Sequence, residues 1–175
     1  MSGNKDSYDE LLQFSRITQD NWLLADRKNR TPFGAWKKDW VKPFLEPCLE
    51  ATVPRDVIKV FEIARGSMIY SWFFYPLATL GFEQCTRVAE FAIRERCQLL
   101  GRKPGMFAAN IATLKANGLI SATDEPRWQA MRRIRNDRSH VNGFMLMDPM
   151  QAAGVLHVSA ELINKLFSST NKAVT

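Results

Sequence analysis

Histidine and cysteine are scarce in this chain, and neither is arranged for metal. The 175 residues hold two histidines, His140 and His157, and three cysteines, Cys48, Cys85 and Cys97. The cysteines are odd in number, widely spaced and without a CxxC pair. That argues against a disulfide scaffold or a zinc module and fits a reduced, cytoplasmic protein. No metal or other cofactor is expected from so few ligands. The first twenty residues alternate acids, amides and apolar side chains, so no signal peptide is expected. The longest apolar run, residues 69–82, contains Pro76 and is too short to span a bilayer, so no membrane partner is expected. No stretch alternates as a strand does, and no repeat or low-complexity segment is present. What remains is 46% hydrophobic, enough for one globular domain with a buried core. The net charge of +6 favours anionic partners, though modestly.

Helical periodicity runs through nearly the whole chain and predicts an all-α fold. Leu11, Leu12, Phe14, Ile17 and Leu24 suggest a first helix over residues 7–26. Pro32, Pro43, Pro47 and Pro54 then break up residues 27–54. There Phe33, Trp36, Trp40 and Phe44 sit among Arg27, Lys28, Arg30, Lys37, Lys38 and Lys42. Such a pattern suits a nucleic-acid stacking platform, or, more simply, an arm whose rings dock on the core while its lysines stay wet. A helix follows from Arg55 to Gly66, with a break near Ser67. The longest helix is expected from Pro76 to Gly101, with Leu77, Cys85, Val88, Ala92 and Leu99 as its buried stripe. Glu83 with Arg87, and Glu90 with Arg94, read as exposed i,i+4 pairs. Residues 106–117 form a short helix closed by Gly118. A further helix starts near Thr123 or Asp124, with Pro126 in its first turn and Gly143 past its end. Asp148 opens the last helix, with Ala152, Val155, Leu156, Leu162, Leu166 and Phe167 facing inward. The whole divides into an N-terminal helix and arm (1–54), a helical bundle of four to five core helices (55–168) and a tail (169–175).

Residues 135–140, Arg-Asn-Asp-Arg-Ser-His, crowd charge just after Arg132 and Arg133. On a wheel of about 100° per residue, Trp128, Met131, Ile134 and Val141 share the core arc. Arg132, Asn136 and His140 line an opposite ridge, and Arg135 sits at the border, roughly 140° from His140. One reading is a solvated helix face. The other is a phosphate site, because guanidinium forks match phosphate oxygens and histidine exchanges protons near neutrality. RNA carries its own 2'-hydroxyl nucleophile, so a base and a cationic clamp suffice to cleave it. His157, beside Leu156, reads as a partly buried structural histidine. Phe144, Met145, Leu146, Met147 and Met150 read as core or dimer packing.

Arg135-Asn136-x-x-x-His140, late in a helix of an all-α chain, resembles the signature of the HEPN superfamily. Residues 75–101 are similar to that family's long second helix, and residues 119–140 to its short helix, turn and motif helix. The resemblance covers residues 55–168 and implies an up-down helical bundle that forms a homodimer around a shared basic cleft. It implies a metal-independent endoribonuclease leaving 2',3'-cyclic phosphate ends, in a toxin–antitoxin or anti-phage setting. Arg135 would hold the scissile phosphate, His140 would act as base or acid, and Asn136 would be the polar partner. Arg132, Arg133, Arg138 and Ser139 would bind RNA. Asn142 stands where the branch paired with nucleotidyltransferase antitoxins has tyrosine, a departure from that branch. The alternative is a non-catalytic HEPN module that binds RNA, nucleotide or a protein partner through its basic face. A third reading is a purely structural bundle.

Overall fold

A computed structural model describes residues 14, 16–26, 28, 37–139 and 146–168 of the chain. Among them every regular element is helical, and no strand occurs. Two single turns, α1 (Lys37–Trp40) and α2 (Lys42–Leu45), precede the longer helices. These are α3 (Arg55–Tyr70), α4 (Leu77–Leu99), α5 (Phe107–Ala116), α6 (Glu125–Ser139) and α7 (Pro149–Ser168). None of them is long and apolar enough to cross a membrane.

The central helix α4 packs against α3, α5, α6 and α7. Its small residues make this possible. At Gly81 an added Cβ would stand 2.6 Å from Met68 Cγ and 2.9 Å from the Ala64 carbonyl oxygen, so α3 crosses almost against bare backbone. Cys85, Val88, Ala92 and Ile93 of α4 meet Phe61 of α3 and Leu156 and Ile163 of α7 in one buried cluster. The predicted break near Ser67 is absent: α3 runs through Gly66 and Ser67 to Tyr70. Ala64 and Met68 on either side of Gly66 are fully buried, and their packing outweighs a helical glycine's cost of about 1 kcal/mol. Leu99, expected in the buried stripe, is exposed.

The first predicted helix is not formed over residues 16–26, which make turns instead. The Asn21 side chain explains why: it accepts from the Thr18 amide at 2.8 Å and donates to the Arg16 carbonyl at 2.8 Å. Such local bonds compete with the helical ladder. Residues 7–13 lie outside the described residues. In the arm, Trp40 and Phe44 are buried, and the Trp40 indole donates to the Ile69 carbonyl at 2.9 Å. Those two rings therefore dock on the core while Lys42 stays exposed beside Asp39. Phe33 and Trp36 lie outside the described residues. The buried Asp26 carboxylate accepts from the Tyr75 and Lys28 amides, each at 3.1 Å, and ties this region to the α3–α4 turn.

Candidate functional site

The helix bearing residues 135–139 is α6, and three contacts orient it. Arg127 donates to Glu161 of α7 at 2.9 Å, Lys165 of α7 reaches Asp124 at 3.3 Å, and Lys115 of α5 pairs with Glu125. All three lie at the start of α6. The cation Arg96, near the end of α4, sits 5.7 Å from the Phe167 ring at the end of α7. So α6 starts near the C-terminal ends of α4 and α7, then runs back along α4 to Glu90. Trp128 and Met131 are buried and Ile134 packs on the same cluster, as the wheel requires.

Arg135 is not solvated alone. Its Nε donates to Glu90 Oε2 at 2.9 Å and its Nη2 to Oε1 at 3.5 Å, a side-on pair with α4. The two side chains are 38% and 23% exposed, so the pair sits at the rim of the α4–α6 contact. Arginine's planar fork makes such a pair directional as well as attractive. This corrects the expectation that Glu90 serves Arg94. Among the described residues Glu83 and Arg87 form no ion pair either. Arg87 and Arg94 are exposed, one turn to either side of Glu90. Glu90 was visible in the sequence as an acid on a helix. Its partner was not, because Arg135 comes from 45 residues away.

The other predicted residues divide. Arg133 and Asn136 are exposed, and Arg132 is half-buried with its Nε donating to Gln129 Oε1 at 2.8 Å. Arg135 and Asn136 are neighbours in the chain but diverge by about 100° around the helix. His140, Asn142 and the side chains of Arg138 and Ser139 lie outside the described residues, as do Val141, Phe144 and Met145. Leu146 and Met147 are half-buried, while Met150 is exposed. Residues 147 and 148, just before α7, are held against the start of α4. The Met147 amide donates to Thr79 Oγ1 at 2.9 Å, and Tyr75 donates to Asp148 at 3.4 Å. Asp148 in turn accepts from the Met150 and Gln151 amides and caps α7.

His157 is on the surface: its side chain is 58% exposed, 3.6 Å from Glu46. The structural, partly buried role expected for it is not what the fold gives it, because it points away from the Leu156 stripe. Burial pushes the Cys85 thiol up to about 12, which makes it inert packing. Among the described residues no three histidine, cysteine or carboxylate side chains come together as a metal-ligand set. The rim where α6 meets α4 is therefore the candidate site, built from Arg135 held by Glu90 with the exposed Arg87 and Arg94 on α4 to either side of that acid. No protein-family model, curated protein or solved structure matches the chain.

Proposed function

We propose that this chain is a HEPN-type, metal-independent endoribonuclease acting as a cytoplasmic homodimer. The observation that carries the reading is the side-on hold of Arg135 by Glu90, which the exposed Arg87 and Arg94 flank on α4. A guanidinium fixed at a protein rim among other cations suits a phosphate whose charge grows during reaction. In the proposed step, the 2'-oxygen bonds to phosphorus and its proton passes to His140. The bond to the 5'-oxygen breaks, and that oxygen takes up a proton, leaving a 2',3'-cyclic phosphate. Arg135 neutralises the phosphoryl oxygens, and Asn136 is the polar partner of the motif. A toxin paired with a protein antitoxin, or an anti-phage effector, is the setting the resemblance implies.

One observation favours the rival, a HEPN-like module that binds RNA or protein without cutting: Arg135 already has a carboxylate partner. Incubation with RNA in excess chelator, followed by analysis of the ends, separates the two. Cyclic-phosphate ends are expected. His140→Ala should slow their formation by about 10²-fold or more with little change in RNA affinity. Arg135→Ala should also slow it, whereas Arg133→Ala and Arg94→Ala should mainly weaken binding and flatten its salt dependence. Absence of chelator-resistant cleavage in the wild-type chain would leave the binding module as the reading.

A further inference from the structure

Leu99, Leu100 and Met106 crowd the turn between α4 and α5 with their side chains in water. Met106 is 81% exposed and Leu99 63%. Single exposed leucines are ordinary, but three large apolar side chains in one short turn form a patch. The turn is also held in place. Gly101, at φ 68°, closes α4, and the Arg102 amide bonds back to the Cys97 carbonyl at 3.0 Å. The buried Asn110 side chain then clamps Gly105 from both sides. It accepts from the Gly105 amide at 2.7 Å and donates to the Gly105 carbonyl at 2.9 Å. Arg102 and Lys103 project at the crest, both exposed and without a carboxylate partner among the described residues. Beyond the turn, α5 turns Ala108, Ala109 and Ala112 to solvent. A surface helix normally shows water a charged face, whereas the first two turns of this one expose alanine, and its one charge, Lys115, pairs with Glu125.

We infer that the α4–α5 turn and the outer side of α5 form a docking surface for an amphipathic, acidic helix of another protein. The apolar side chains and the exposed alanines would take the helix's apolar stripe, since small residues let helix axes approach closely. Arg102 and Lys103 would meet its carboxylates. This chain does not supply that occupant. Residues 169–175 contain Lys172 and no acidic side chain. Asp6, Asp9 and Glu10 precede Phe14, whose ring lies 5.4 Å from Phe74 near the other end of α4. That places the turn roughly 35 Å away along the helix, while the eight residues from Asp6 to Phe14 span at most about 29 Å. A second copy would bring the same two cations to the contact. The surface also lies about 13 Å along α4 from Glu90, so the inference stands apart from the ribonuclease reading.

The test uses the full chain and a fluorescein-labelled synthetic helix of roughly 20 residues, leucine on one face and glutamate on the other. Anisotropy should show binding in the micromolar range, about 10⁻⁶–10⁻⁵ M. Ala112→Glu, and separately Arg102→Glu with Lys103→Glu, should each weaken it by about tenfold or more. Met106→Glu serves if Ala112→Glu does not keep the wild-type circular dichroism. The same peptide with lysine for glutamate should bind at least about tenfold more weakly. The inference fails if the acidic peptide shows no binding at about 1 mM, or binds all variants alike. It also fails if phosphatidylserine vesicles, and not the peptide, lose the protein on these substitutions, or if light scattering shows a dimer that Ala112→Glu dissociates.

Discussion

Arg135 and Glu90 together decide how the proposed site works, because one arginine cannot be optimally held and optimally available at once. If the carboxylate orients the guanidinium for phosphate, Glu90→Ala should loosen Arg135 while removing a negative charge from the site. The expected outcome is slower cleavage together with equal or tighter RNA binding, read by single-turnover kinetics and a filter-binding titration. Tighter binding with unchanged cleavage would mean that Glu90 only competes with the RNA backbone. The pair is partly exposed, so its loss should cost no more than about 1 kcal/mol of stability. Folding is therefore expected to survive the substitution, and the kinetic effect can be read cleanly. Arg87 and Arg94 flank Glu90 on α4, one turn to either side, and stay exposed while the acid turns to α6.

The α3–α4 crossing governs where α4 presents Glu90, and two glycines test it. Gly66 has nothing within 4 Å of where a Cβ would stand, whereas at Gly81 the Met68 side chain and Ala64 backbone already fill the space. Gly66→Ala should raise stability by about 0.5–1 kcal/mol through helix propensity and a less disordered unfolded chain. Gly81→Ala gains the same propensity yet should lose about 1–3 kcal/mol net, because α3 must shift away from α4. Urea denaturation of both variants measures the contrast. Equal effects at the two sites would mean that the crossing is not as close as the packing of Met68 requires.

Helices α5, α6 and α7 are joined at one end by charge, and that support is expected to weaken in acid. Arg127, with help from Lys165, holds the Glu161 carboxyl down at about 2 against an ordinary 4.5. Hydrogen bonding from Ser121, followed by Lys165 and Arg127, likewise lowers Asp124. A carboxylate depressed in the folded state contributes stability above its unfolded value and loses it as pH falls through the folded one. The wild-type chain should therefore melt higher than Glu161→Gln at about pH 6, and the gap should close between pH 4.5 and about 2. A gap that persisted at the acid end would assign it to something other than the charge. Assembly is a separate matter. The proposed composite cleft requires two chains, so light scattering at micromolar concentration should give twice the mass of the 20.0 kDa chain. Monomer alone, with and without RNA, would remove the shared cleft from the proposal.

Much of the architecture could be read from the order of residues. Apolar spacing predicts α4, α5 and α7 nearly to their ends and the start of α6, whose expected end lies outside the described residues, because a helix is a local object and its buried stripe repeats every three or four residues. Gly118, Asp148 and the Trp128–Met131–Ile134 arc follow from the same local rules. On the candidate helix, the exposure of Arg133 and Asn136 was legible for that reason, and so was the borderline position of Arg135. The partner of Arg135 was not legible, because Glu90 meets it only after α6 folds back along α4. Helical spacing alone pairs that acid with Arg94. The continuation of α3 through Gly66, the turns at residues 16–26 and the outward direction of Leu99 and His157 were likewise decided by tertiary packing or by local side-chain bonds. Periodicity records which side of a helix is apolar; which neighbour arrives at each side depends on how closely the axes cross, and here Gly81 sets that distance.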